Sequence, residues 1–247
     1  MLVWDGNPRY EGLFEMHQKI WAKLGVEVSM VFVSDGKNAA AIPKTGDVRV
    51  VEDRSTVPFT PPPGRNWKAT MGIIHGPRLF PGEVIMATGM DQIPASRRFL
   101  EKVEPVPEDQ LITNYGSLSH IPTGNIVAHH DTWSRIMAPA PMDFTELLEW
   151  AWDQKLDVSG YGNVAVGWGI DEVLFTNLAQ RCEGLTVHTA IGNCWPDWLD
   201  RVLGITQVVP DMEKLKSGWY SELHIRMPLS NRDQSTFNTL LSLDPFP

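Results

Sequence analysis

One segment constrains the fold more than any other. Val26-Glu27-Val28-Ser29-Met30-Val31-Phe32-Val33 alternates at first and then becomes continuously apolar, the pattern of a strand covered on both faces. Ahead of it, Asn7-Pro8 reads as an N-cap with proline at the first helical position, and Leu13, Met16, Ile20 and Leu24 recur at helical spacing until Gly25. With the apolar Leu2 to Trp4 in front, the chain opens strand, helix, strand. Such a unit crosses over right-handed to give two parallel strands, and helices must cover both faces of the sheet. The expected class is therefore α/β.

The rest of the chain extends that reading. A weaker strand is predicted at Asp47 to Val51, an extended proline-rich loop from Val57 to Gly64, and a helix within Trp67 to Phe80 interrupted by Gly72 and Gly76-Pro77. Glu83 to Thr88 reads as another buried strand. Short strands at Gln110 to Asn114 and Asn125 to His129 suggest an antiparallel or mixed addition to the sheet. Asp143-Phe144-Thr145-Glu146 has the spacing of a capping box and opens a helix through Trp152, and a further helix is expected from Ile170 to Arg181. From Ser230 onward no period is visible, so the tail is expected to wrap the surface.

Composition narrows the function classes. At 247 residues, 43% hydrophobic and 21% charged, the chain is an ordinary folded protein and not a disordered, collagen-like or coiled-coil one. A net charge of −9, with no basic cluster beyond Arg97-Arg98, argues against duplex nucleic acid as a partner. Cys182 and Cys194 lack zinc or disulfide spacing and read as two thiols in a reducing compartment. No stretch has the length of a signal peptide or a membrane span. A cytoplasmic location and no transmembrane segment are the expectation.

Open α/β sheets bind ligands beyond the carboxyl ends of their strands, so the residues that follow each strand are the first candidates. After the first strand come Asp5, Gly6, Asn7 and Tyr10, where a glycine allows close backbone approach and a helix start offers amides to an anion. After the second strand stands Asp35 in Ser34-Asp35-Gly36. After Glu83 to Thr88 stands Asp91 in Gly89-Met90-Asp91-Gln92-Ile93-Pro94.

These residues carry a resemblance in their order along the chain. Asn7-Pro8-Arg9-Tyr10 with its helix, Trp21, a buried strand ending at Asp35, and Ile85 to Phe99 (IMATGMDQIPASRRF) are similar to nucleotide-sugar glycosyltransferases of the GT-A fold, in particular small viral and phage-type members. The likeness continues through Trp168-Gly169-Ile170-Asp171-Glu172, Leu199-Asp200-Arg201 and Leu223-His224-Ile225-Arg226-Met227-Pro228. It implies one GT-A-like domain over residues 1–247, a Rossmann-like three-layer sandwich with a mixed central sheet. Residues 1–104 would form the nucleotide-sugar half and residues 105–247 the acceptor half. The implied reaction moves a sugar, a hexose or a relative, from a nucleoside diphosphate to a glycan or protein acceptor.

The family holds Mn²⁺ or Mg²⁺ against the diphosphate with an Asp-x-Asp motif, and the ion offsets charge building on the leaving group. Here Gly89 stands in place of the first carboxylate, leaving Asp91, with His224 the matching late histidine; an imidazole suits Mn²⁺ better than Mg²⁺. Asp171 matches the position of the base that takes the acceptor proton; Glu172 and Asp131 are alternatives. Arg78 resembles an arginine near the donor phosphates. Tyr115, His130, Trp133 and Trp168 bring the polar and aromatic mix that binds an acceptor sugar.

Two other readings fit the same residues. Loss of the first carboxylate suits a degenerate module that binds a nucleotide sugar or glycan without turnover. Below it ranks a metal-dependent hydrolase using His120, His129, His130 and Asp131, although adjacent histidines on a strand would face opposite ways.

Overall fold

A computed structural model describes residues 1–58, 66–82, 84–113, 118–159, 169–189, 198–199, 211–224 and 231–247. In chain order the elements are β1 (Leu2–Trp4), α1 (Leu13–Lys23), β2 (Ser29–Ser34), β3 (Asp47–Glu52), α2 (Trp67–His75), β4 (Val84–Ala87), β5 (Gln92–Pro94), α3 (Arg98–Val103) and β6 (Gln110–Thr113). They continue with β7 (Ile126–His129), α4 (His130–Met137), α5 (Phe144–Asp153), α6 (Ile170–Arg181), β8 (Thr186–Thr189), β9 (Trp198–Leu199), α7 (Met212–Lys216), β10 (Glu222–His224) and α8 (Asn231–Ser242).

The chain is mixed α/β. β1, β2 and β3 form a parallel sheet in that order, and β4-β7-β6-β8 form a mixed one. A parallel bridge between Leu2 and Thr88 joins their edges, with Met1 N donating to Met86 O at 2.7 Å and Thr88 N to Met1 O at 3.1 Å. A second sheet, β5-β10-β9, takes the chain immediately after β4.

The double coverage expected of β2 is real. Met30 and Phe32 pack with Leu2, Leu13 and Phe14 on the side of α1, whereas Val31 and Val33 pack with Met71, Ile74, Leu147 and Leu174 on the side of α2, α5 and α6. Alternate residues thus face opposite helical layers, as the two-residue strand period requires. Among the described residues no helix is long and apolar enough to cross a membrane. Cys182 is a free thiol, and Cys194 lies outside the described residues.

Several predicted boundaries move, each for a local reason. Asn7 does cap a helix, its Oδ1 accepting from Arg9 N at 3.1 Å, but the helix is a single 3-10 turn over Pro8–Tyr10. The α-helix starts after Gly12, whose φ of 78° ends that turn. β2 begins at Ser29 and not Val26, because Val26 N closes the end of α1 on Trp21 O. Helix α2 stops at His75, where Gly76 and Pro77 open another 3-10 turn. His129 ends β7 and His130 starts α4, so the two are not neighbours on one strand. The tail is not irregular: α8 buries Phe237 and Leu240 against Ile20, Trp21 and Leu223.

Candidate functional site

The parallel register of β1, β2 and β3 and the Leu2–Thr88 bridge bring the carboxyl ends of β1 to β4 to one side of the sheet. At the end of β1, Asp5 Oδ1 accepts from Asn7 N at 3.1 Å and Oδ2 from Asn66 Nδ2 at 2.9 Å. Asn38 Nδ2 donates to Asp5 O at 2.7 Å and Val33 O at 2.9 Å, tying the ends of β1 and β2 together. Gly6 has φ of 77°, and a Cβ there would sit 3.1 Å from Ala41 Cβ, so the turn requires glycine. Asp35 is exposed, its Oδ1 accepting from Lys37 N and Asn38 N in its own turn. Behind Asn66, Lys68 Nζ lies 3.0 Å from Asp53 Oδ2 in a mostly buried pair. Tyr10 lies half-buried in the 3-10 turn.

Beyond β4 the chain turns through Gly89-Met90-Asp91-Gln92 into the second sheet. Gln92 N donates to Gly89 O at 3.2 Å, and Gly89 N donates to Gln92 Oε1 at 3.2 Å. From α1, the fully buried His17 places Nε2 2.9 Å from Met90 O. Trp21 Nε1 donates to His17 Nδ1, so the ring hydrogen is on Nε2 and points at Met90. Burial pushes the His17 pKa down to about 4 and keeps this ring neutral. The turn is held from both sides, and it carries Asp91 outward.

His224, at the end of β10, meets it there. His224 Nε2 lies 3.6 Å from Asp91 Oδ2, with each side chain 13% exposed. Beneath this pair is a buried polar knot: Thr88 Oγ1 donates to Asn125 Oδ1, and Asn125 Nδ2 donates to Glu222 Oε1 at 2.6 Å. Thr88 Oγ1 also lies 3.4 Å from Gln92 Oε1. Glu222 is 1% exposed, a carboxylate that burial alone would make costly and that the amide of Asn125 compensates.

Two residues before Asn125, Thr123 reaches the other acidic group. Its Oγ1 donates to Asp171 Oδ2 at 2.6 Å, and its backbone N lies 3.4 Å from Glu172 Oε1. Asp171 is 3% exposed at the start of α6. Burial first, then the charge of Glu172, raises its pKa from 3.8 to about 6, against side-chain hydrogen bonding with Thr123 and Thr70 that lowers it. Glu172 is more open and has His120 Nε2 3.7 Å from its Oε2.

The short segment Thr123-Gly124-Asn125 therefore touches Asp171, Gln92 and Glu222, Gln92 being the chain neighbour of Asp91 and Glu222 standing two residues before His224. A carboxylate and an imidazole 3.6 Å apart are two ligand types that Mn²⁺ accepts on adjacent positions, with other positions left for phosphate and water. Among the described residues no group of three or more His, Cys, Asp or Glu is placed to hold a metal, and Asp91 with His224 makes a two-point grip.

Other predicted residues are used elsewhere. Arg78 Nη1 donates to Pro141 O at 2.9 Å and Nη2 to Ala140 O at 3.3 Å, and the guanidinium also touches Met142 Sδ. It ties the turn after α2 to the entry of α5 and does not lie free to meet phosphate. Trp133 is fully buried against Phe175 with Nε1 donating to Ile85 O at 3.1 Å, so it belongs to the core and offers no face to a sugar. His130 is half-buried, with Nε2 3.4 Å from Ser134 Oγ. His129 Nε2 meets Val106 O, and His120 meets Glu172; these three histidines point at three different partners, and Asp131 is exposed on α4. Tyr115, Trp168, Asp200, Arg201 and Arg226 lie outside the described residues.

The sequence reading missed His17, Gln92, Thr123, Asn125 and Glu222 as parts of this site. One had a local sign: Asn125 follows Gly124 at the head of a strand, and its φ of 47° is a conformation asparagine tolerates better than most residues. Comparison with protein-family models and with curated proteins gives no match for this chain.

Proposed function

We propose that the chain is a glycosyltransferase that moves a sugar from a nucleoside-diphosphate donor to a hydroxyl of a glycan or protein acceptor, in the cytoplasm. One observation carries the reading: Asp91 and His224, from two distant motifs, face each other at 3.6 Å, and the segment Thr123-Gly124-Asn125 that bonds Asp171 also bonds Glu222, two residues before His224 on β10. A chance set of turn residues has no reason to converge in this way. The location beyond the strand ends is the one open α/β sheets use for ligands.

In this reading Asp91 and His224 hold Mn²⁺, or less favourably Mg²⁺, which offsets charge on the departing diphosphate. Asp5, Gly6, Asn7, Tyr10 and Asp35 frame the nucleoside end through backbone and turn geometry. Asp171 takes the acceptor proton. A pKa near 6 makes it a better base near neutral pH than an ordinary carboxylate, and the more open Glu172 lies beside it at the mouth. The acceptor half includes Tyr115, His130 and Trp168.

A second reading keeps the donor site and drops turnover. Gly89 in place of a carboxylate and the deep burial of Asp171 favour a module that binds a nucleotide sugar or glycan. A thermal-shift screen of nucleoside diphosphates and their sugar conjugates, with and without Mn²⁺, tests the site. Ligand at about 100 times its Kd adds roughly 2.7 kcal/mol. Stabilisation with Mn²⁺ and slow release of free sugar supports the transferase, stabilisation without release supports the module, and no shift with any donor removes the donor site and leaves glycan binding alone.

A further inference from the structure

Gly89 stands where the resembled motif has its first carboxylate, and the geometry shows what a side chain there would meet. A Cβ at Gly89 would lie 2.9 Å from Asp91 Oδ1 and 3.3 Å from Gln92 Oε1. The backbone has little room to yield. Gln92 N and Oε1 hold Gly89 O and N, His17 holds Met90 O, and the amide of Gln92 is itself enclosed by Gly124, whose own Cβ would lie 2.7 Å from Gln92 Nε2. Gly89 has no left-handed φ, so conformational freedom is not what selects glycine here. What selects it is the space that the Asp91 carboxylate occupies.

We propose that Gly89 is a positioning residue: it clears the volume into which Asp91 folds back to face His224, and the site is built for one carboxylate and one imidazole. The missing carboxylate is then a condition of this arrangement. Restoring aspartate at position 89 pushes Asp91 away from His224 and does not add a ligand. The divalent-cation part rests on the transferase reading, whereas the Asp91–His224 contact does not, so the test reads the two separately.

The first arm uses crystal structures of the metal-free wild type and of Gly89→Ala, with thermal melts to verify folding. The pair should be within 4 Å in the wild type and open beyond that in G89A, with the melting temperature changed by no more than a few degrees. A pair that stays closed in G89A overturns the proposal. So does a G89A chain that fails to fold, because only the tips of two flexible side chains stand in the path. The second arm measures Mn²⁺ binding by electron paramagnetic resonance, with and without a nucleoside diphosphate, for wild type, G89A and Gly89→Asp. Binding at least tenfold weaker in G89A and no tighter in G89D supports the proposal, and tenfold tighter binding in G89D overturns it. If the wild type holds no Mn²⁺ under either condition, the metal reading fails, and the crystal structures alone decide the role of Gly89.

Discussion

Replacing Asp171 with asparagine should stabilise the protein and, in the transferase reading, inactivate it at once. Its carboxyl has a folded-state pKa of about 6 against 3.8 for the ordinary group. In the folded protein the neutral acid is therefore preferred. Below pH 3.8 both states are protonated and the site costs nothing; as pH rises from about 4 to 6 the unfolded chain ionises first, and stability is lost. Above pH 6 the loss is complete. Two units at about 1.36 kcal/mol each amount to about 3 kcal/mol, undiminished by solvent because the group is buried. Asparagine mimics the neutral acid: its Oδ1 accepts from Thr123 Oγ1, and its amide can donate to Thr70 Oγ1, whose own hydrogen points to Trp67 O at 2.8 Å. For a chain of this size about 3 kcal/mol is roughly 6–12 °C. Melts of both proteins from pH 4 to pH 8 should show Asp171→Asn higher at neutral pH and the two converging near pH 4. The difference has to be taken at each pH, because His17 and His75, both lowered to about 4 by burial, lose stability as pH falls from 6.5 to 4. In the same samples turnover should fall about 10²- to 10⁴-fold. An Asp171→Asn variant that is less stable at pH 7.5, by a gap that does not change with pH, would refute the argument from burial.

Asp91→Asn should abolish Mn²⁺-dependent donor binding in calorimetry while shifting the melting temperature by only a few degrees, since the side chain lies at the rim; retained affinity removes it from the site. His17→Leu leaves Met90 O and Trp21 Nε1 unpartnered, each costing about 1–3 kcal/mol, and His17→Gln should recover part of that loss in denaturant unfolding, whereas equal stability of the two variants would contradict the hydrogen-bond account. Arg78→Met should destabilise the chain by about 1–3 kcal/mol through the lost carbonyl contacts yet leave donor affinity unchanged, and a tenfold drop in that affinity would return Arg78 to the phosphate site.

What the sequence made legible follows the length of the signal. β2 declared itself by eight residues of pattern, and α6 spans Ile170–Arg181, the bounds the sequence suggested. Asp143 was recognised as a cap, and its Oδ1 accepts from Glu146 N at 3.0 Å. The second sheet gave no such signal. β5 and β10 are three residues each, and both place polar side chains at buried positions, Gln92 and Glu222. Their polar groups are satisfied by partners as far as 97 residues away, as Glu222 is by Asn125, and no local window contains that information. Trp133 was misread for the opposite reason. Its polar neighbours suggested a sugar platform, although Trp133, Ile136 and Met137 already have the spacing of the buried face of α4.

The placement of the site follows from where the chain changes sheets. β4 runs beside β1 only as far as the Leu2–Thr88 bridge, then leaves for β5, and β10 returns antiparallel to β5. Such a crossing leaves backbone ends and polar side chains between two sheets, and here they are gathered by Thr88, Gln92, Asn125 and Glu222. Glu222 bonds within this seam, Asp171 and Glu172 meet it through Thr123, and Asp91 faces His224 beside it. Among the described residues the cations near it are engaged: Lys68 lies against Asp53 and Arg78 against the backbone before α5, while His17 is neutral. The chain carries a net charge of −9, and in the transferase reading the Asp91–His224 edge, partly open to solvent and holding one carboxylate and one imidazole, is where a divalent cation arriving with the diphosphate would offset charge. In the transferase reading metal and donor should therefore bind together more tightly than either alone, and equal donor affinity with and without the cation would break that link.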